Sequence, residues 1–331
     1  MQNSINRGNL TVYIKNNNTL AGNNGIDCYN GGVLTLDADA GSSLTVIGGD
    51  GIEGISCDSD LVLQGSGTFN FVGGDAVGYG AYSALWVGGD LLLQDNVTVN
   101  ADAGDSTGTN PDDSGWNNGV VCLGDITIAG NAKLNATAGN AFGAGCKAGN
   151  GILPFFKLTV TSGAANALVA TGGVGAVADP LHGSGIATYF DPQIAGAGSI
   201  KAIGDNALGS LYDITIAGCK ITAQASGAAN YALHAGGYDG ANFAGGTVFI
   251  TGGTTTASNI TTPANICYKY LSHTGGVLNG VGVNNPDNPD NPDNPDNPDK
   301  KGGGGATSLP GLALMAALLA ARALKKKNRA G

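Results

Sequence analysis

The stretch Gly54-Ile55-Ser56-Cys57-Asp58-Ser59-Asp60-Leu61-Val62-Leu63-Gln64-Gly65-Ser66-Gly67-Thr68-Phe69-Asn70-Phe71-Val72-Gly73-Gly74-Asp75 decides how the rest of the chain is read. It holds three short apolar pieces, Ile55-Ser56-Cys57, Leu61-Val62-Leu63 and Phe69-Asn70-Phe71. The first and last alternate apolar with polar residues, so every second side chain falls on one face of an extended strand. The glycines and aspartates between the pieces tolerate the positive φ of tight turns. Three short strands and three tight turns in about 30 residues is the arithmetic of one coil of a parallel β-helix.

The cassette recurs along the body. Its leading strand reads Val33-Leu34-Thr35-Leu36, Leu61-Val62-Leu63, Leu91-Leu92-Leu93, Ile126-Thr127-Ile128, Leu158-Thr159-Val160, Ile214-Thr215-Ile216 and Val248-Phe249-Ile250, with starts 28, 30, 35, 32, 56 and 34 residues apart. The 56 is two periods of 28, which predicts a disguised unit near Ile186-Ala187-Thr188-Tyr189-Phe190. A second strand follows, as in Leu44-Thr45-Val46, Val97-Thr98-Val99, Leu134-Asn135-Ala136 and Ile221-Thr222-Ala223. A third piece follows a Gly, Asn or Asp: Ile26-Asp27-Cys28, Leu85-Trp86-Val87, Val120-Val121-Cys122 and Ala144-Gly145-Cys146. An antiparallel sandwich also uses many short strands, but it does not repeat one three-part cassette in one order, whereas a solenoid stacks like on like. The expected fold is an all-β parallel solenoid of about eight coils, about 40 Å long at about 4.8 Å per coil.

Composition fits this reading. Glycine supplies 58 of 331 residues, yet no Gly-X-Y triplet runs through the chain, which excludes collagen. A hydrophobic fraction of 42% with recurring apolar pairs excludes simple disorder. Residues 1–282 carry 8 Lys and Arg against 20 Asp and Glu, net −12; residues 283–331 carry 7 against 5, net +2. So acidic a body offers no basic stripe for phosphates, and nucleic acid is not expected as a partner.

The cassette from Gly54 to Asp75 resembles the right-handed parallel β-helix repeats of bacterial cell-surface proteins, adhesin-like and carbohydrate-binding ones among them. The likeness extends over residues 10–280 and implies a right-handed β-helix displayed outside the cell. After it the polymer changes. Residues 285–299 read Asn-Pro-Asp five times, a pattern that favours extended polyproline II and reaches roughly 46 Å at about 3.1 Å per residue. Gly302–Gly305, an apolar run Leu309–Leu324 broken only by Arg322, and Lys325-Lys326-Lys327-Asn328-Arg329 follow. Three domains are expected: a solenoid over 1–283, a linker over 284–305, and a hydrophobic anchor or sorting helix with a basic tail over 306–331.

Spacer, short motif, apolar stretch and basic end resemble a bacterial C-terminal sorting signal. The apolar run barely crosses a bilayer, Arg322 snorkels and the basic end stays cytoplasmic. Sortase substrates carry Leu-Pro-x-Thr-Gly, whereas here Leu309-Pro310 is followed by Gly311-Leu312-Ala313, without the Thr-Gly pair. Covalent attachment to the wall, a glycine-rich sorting tail and a retained membrane anchor all stay open. Met1 to Arg7 has no apolar signal region, so the expectation for an exported protein is an upstream piece with signal peptide and cap.

The chemistry-bearing residues are few. Cys28 with Cys57, and Cys122 with Cys146, fall at one cassette position and should stack as a buried thiol ladder; side chains that point the same way bridge poorly as disulfides. No Cys-x-x-Cys or His-rich cluster suggests zinc. Asp60, Asp90, Asp125 and Asp213 precede leading strands, and Asp50 and Asp75 close Gly-Gly-Asp turns. Such side chains cap turn amides; the alternative is calcium, with Asp50, Glu53 and Asp75 as the residues it would take. Pectin-type lyases and polygalacturonases share this fold, but as families they rely on arginine, and residues 8–321 contain none. No catalytic residues are therefore assigned, and no cofactor beyond calcium.

Longer units carry their extra residues mostly between the second strand and the third: Ala76–Ser83, Ala103–Asn118, Gly172–Gly185 and Gly236–Gly246. Insertions on one edge of a solenoid mark an interaction face. They hold Tyr79, Tyr82, Trp116, Asp112, Asp113, His182 and Tyr238, aromatics that stack on sugar rings beside groups that take hydroxyls. The expected function is an adhesin or glycan-binding module for a polysaccharide or host glycan, held to the bacterial membrane or cell wall through the C-terminus. A structural stalk or surface-layer element is the alternative, and a polysaccharide lyase or hydrolase the third.

Overall fold

Leu34–Ala38, Leu61–Gly65, Leu91–Leu93 and Ile126–Ile128 lie side by side, parallel and in register, in the computed structural model of the chain. Leu34, Leu61, Leu91 and Ile126 form one inward row and Leu36, Leu63, Leu93 and Ile128 a second, all buried. The residues between them, Thr35, Val62, Leu92 and Thr127, face outward and are half-buried. Alternation in the sequence thus becomes a two-faced sheet, and each fully buried Leu or Ile contributes roughly 1.5–3 kcal/mol through the area it removes from water.

The structure describes residues 8–284 except 23–24, 30, 77–81, 108–116, 144–146, 176–181, 189–192, 227–230, 240–241, 246, 252–253, 260–264, 269, 275–276 and 280. They belong to the first of two compact units, 1–292; the second, 293–331, lies outside the described residues.

Three parallel sheets make up the stack. The first runs through ten strands from Leu10–Ile14 to Tyr270–Thr274, and the second through ten from Asn17–Ala21 to Val277–Asn279. The third runs through ten from Ile26–Cys28 to Val281–Asn284, with Asn242–Gly245 joining it antiparallel as an eleventh. Each coil gives one strand to each sheet, so the fold is a parallel β-solenoid. Among the described residues it has ten coils where the sequence reading counts eight: one more begins at Leu10, whose Leu10-Thr11-Val12 repeats the leading-strand pattern, and one more at Tyr270.

Two elements depart from the sequence reading. Ile186–Thr188 belongs to the third sheet, and the leading strand of that disguised unit is Gln193–Ala195. Only Ile194 marks it, and the next coil follows just 22 residues later, Ile194 pairing with Ile216. The partner of Val120–Cys122 is Ile152–Pro154, so Cys122 stacks between Val87 and Pro154 and not on Cys146, which lies outside the described residues.

The side chains of one inward row become smaller along the stack. Phe69 and Phe71 are fully buried, with ring centroids 5.9 Å apart. In the row of Phe71 the next coils place Ala101, Ala136, Ala170, Ala202 and Ala223, small residues that let the sheets approach at close-packed density.

Candidate functional site

The corner between the second and third sheets is where the coils differ from one another. Ala76, Ser106 and Ala141 form a short parallel ladder just past the second sheet. The described chain stops beyond them at 77–81, 108–116, 144–146 and 176–181, and resumes at Tyr82, Asn117, Lys147 and His182. The connections from the second sheet to the third, 73–84, 103–119, 138–151 and 172–185, are long in four successive coils, and 138–151 is one the sequence reading does not single out.

A column of glycines sets the base of this edge. An added Cβ on Gly74, Gly104, Gly139 or Gly173 would lie 1.7, 2.1, 1.8 or 2.0 Å from the carbonyl oxygen of Gly49, Gly74, Gly104 or Gly139, one coil below. None of the four has a positive φ, so these turns need glycine for close approach and not, as the sequence reading has it, for backbone handedness.

The residue after each glycine binds the next coil. The Asp105 amide donates to Asp75 Oδ1 at 2.7 Å, the Asn140 amide to Asp105 Oδ1 at 2.7 Å, and the Val174 amide to Asn140 Oδ1 at 2.9 Å. A second ladder runs inside the corner, where the Asn150 amide donates to Asn118 Oδ1 at 2.9 Å and the Ser184 amide to Asn150 Oδ1 at 3.0 Å. A third runs before the leading strands: the amides of Asp90, Asp125 and Lys157 donate to Asp60, Asp90 and Asp125 Oδ1 at 2.9, 2.8 and 3.0 Å. Turn-amide capping is thus what these aspartates do in the structure.

For calcium, Asp50 and Asp75 are exposed and Glu53 is buried, and the Gly51 amide donates to the Asp75 carbonyl at 2.9 Å. Among the described residues no group of three or more His, Cys, Asp or Glu is gathered to hold a metal ion.

Tyr82 is half-buried over Gly51, whose added Cβ would lie 3.4 Å from the ring; His182 is half-buried where the chain re-enters its coil. Tyr79, Asp112, Asp113 and Trp116 lie outside the described residues, as do Leu309, Pro310, Gly311, Arg322, Lys325, Lys326 and Lys327. Tyr238 sits elsewhere. Its strand, Leu233–Asp239, belongs to the third sheet and pairs back on Asn242–Gly245 through Tyr238 and Phe243. That insertion follows the third strand, because a hairpin prolongs it, and so it emerges from a different edge.

The structure adds Phe142, 67% exposed, and Val174, 69% exposed, at the stems on the loop edge. Phe142 directly follows the ladder residue Ala141, and its amide donates to the Ser106 carbonyl at 3.0 Å. An apolar residue after the Ala-Gly-Asn turn is the signal that marks it. Trp86 is different: it lies in the third sheet, faces away from the core row of Leu85 and Val87, and is nevertheless buried.

Cys28, Cys57, Cys122 and Cys219 are free thiols. Burial pushes the thiols of Cys28 and Cys219 up to about 11 and that of Cys122 up to about 12; for Cys28 the neighbouring Cys57, Asp27 and Asp58 add to the effect. Unionised, buried thiols are poor nucleophiles. Among the described residues, no helix is long and apolar enough to cross a membrane. In comparison with known proteins, the chain matches no family model, no curated protein and no solved structure.

Proposed function

We propose that this β-solenoid is an envelope-tethered binding module that takes a polysaccharide or host glycan along the edge between its second and third sheets. The carrying observation is the exposed Phe142 ring on the edge with long connections in four successive coils, with His182 at the stem one coil on and Tyr82 at the stem two coils back. Aromatic faces stack on the apolar faces of sugar rings, and the Asp105 and Asn140 oxygens at the same stems are acceptors for hydroxyls. Residues 284–305 serve as the spacer and 306–331 as the membrane or wall anchor.

One observation favours the stalk reading. The Asp and Asn columns at the stems are already engaged in coil-to-coil bonds, as a purely structural rod requires. A glycan array probed with the full chain decides between them. Binding that Phe142→Ala weakens about tenfold, a loss of about 1.4 kcal/mol, supports recognition at this edge. No signal across neutral and acidic glycans leaves the stalk.

A further inference from the structure

Cys28 and Cys57 are direct register partners in the third sheet, on adjacent parallel strands. Both belong to the row that packs against the hydrophobic core, and both are free thiols. Cys57 is fully buried and Cys28 half-buried in the first coil, so one sulfur lies deep and the other is reachable. The next residue in the row is Val87, which makes the pair a single rung.

In-register side chains on neighbouring strands keep the strand spacing of about 4.8 Å. A disulfide needs Cβ atoms about 3.8 Å apart, so the ladder would have to pinch. Two metal–sulfur bonds of about 2.3 Å laid end to end span about 4.6 Å, close to the spacing already present. Zinc wants four ligands, and no third His, Cys, Asp or Glu is gathered here among the described residues. Soft cations that favour two ligands accept two thiolates. The geometry points to a two-coordinate site for a soft closed-shell cation of the silver(I) or copper(I) class between Cys28 Sγ and Cys57 Sγ.

Binding breaks two S–H bonds, forms two S–metal bonds and releases two protons to solvent; no electron is transferred. Burial above all, then the neighbouring Cys57, Asp27 and Asp58, holds the proton on Cys28, and Asp60 presents its carbonyl 3.7 Å from Cys57 Sγ. Affinity therefore rises steeply with pH, about 100-fold per unit while both thiols are protonated in the free protein.

Silver(I), buffered by a competing ligand and added to the reduced full chain, tests this. The tightest class should take one ion fewer in Cys28→Val and in Cys57→Val, substitutions that copy Val87, while Cys122→Val behaves as the parent. Far-UV circular dichroism confirms that each variant folds, and a pH-stat should count two protons per ion in the class that is lost. Uptake unchanged by Cys57→Val, or one proton per ion, overturns the site.

Discussion

Asn150 is 1% exposed and works in both directions along the stack. Its amide and its side-chain Nδ2 donate to Asn118 Oδ1, and its own Oδ1 accepts the Ser184 amide. Asn118 and Ser184 are fully buried as well, so water cannot replace a lost partner. Truncation as Asn150→Ala removes the acceptor of the Ser184 N–H and should cost about 2 kcal/mol, within the range for deleting one partner of a buried hydrogen bond. Asp90 makes the same kind of bond to the Asp125 amide, but at an exposed corner, where water substitutes; Asp90→Ala should cost less than about 0.5 kcal/mol. Urea midpoints of the two variants against the parent measure the contrast, and equal shifts would show that burial does not set the value of these rungs.

At the scale of the element, the corner glycines hold neighbouring coils at a distance no side chain permits. Gly139 carries the case, since its Cβ would fall 1.8 Å from the Gly104 carbonyl oxygen. Gly139→Ala must push one coil off the other along the Asp105–Asn140 rung, and a loss of about 2–3 kcal/mol is expected, the upper part of the range for overpacking. Hydrogen exchange should localise it, with faster exchange of the Asn140 and Val174 amides and little change at Leu34–Ala38. The strands themselves are legible in the sequence because a short apolar piece such as Leu61-Val62-Leu63 recurs at one place in the cassette, with Thr between the apolar residues in several repeats, and the edge is legible because insertions recur at one cassette position. What alternation cannot report is contact between coils. Gly74 and Gly65 read alike, yet only Gly65 has a positive φ, of 95°. Gln193–Ala195 hides because one buried isoleucine suffices for a strand held by its neighbours on both sides. Tyr238 was misplaced because a strand prolonged into a hairpin looks, in sequence, like any other insertion.

For the whole molecule, each strand along the stacks pairs only with the coil before and the coil after, so stability is close to a sum of coil and nearest-neighbour terms. Such a stack tolerates the loss of a unit when the rows on either side still match. Leu61, Leu91 and Ile126 are successive members of one row, and removing Leu91 to Asp125 joins Asp90 to Ile126. Ile126 then rests on Leu61, Leu134 on Phe69 and Ile152 on Leu85, apolar on apolar in all three sheets. The shortened chain should fold with parent-like far-UV circular dichroism per residue and a cooperative thermal transition within roughly 5 °C of the parent. Removing Thr98 to Asp125 instead leaves Leu91–Leu93 with no second or third strand in its coil and sets two leading strands in succession. Adjacent rows then no longer match, and the cooperative transition should be lost. If both deletions behave alike, coil-to-coil register is not what holds this solenoid together.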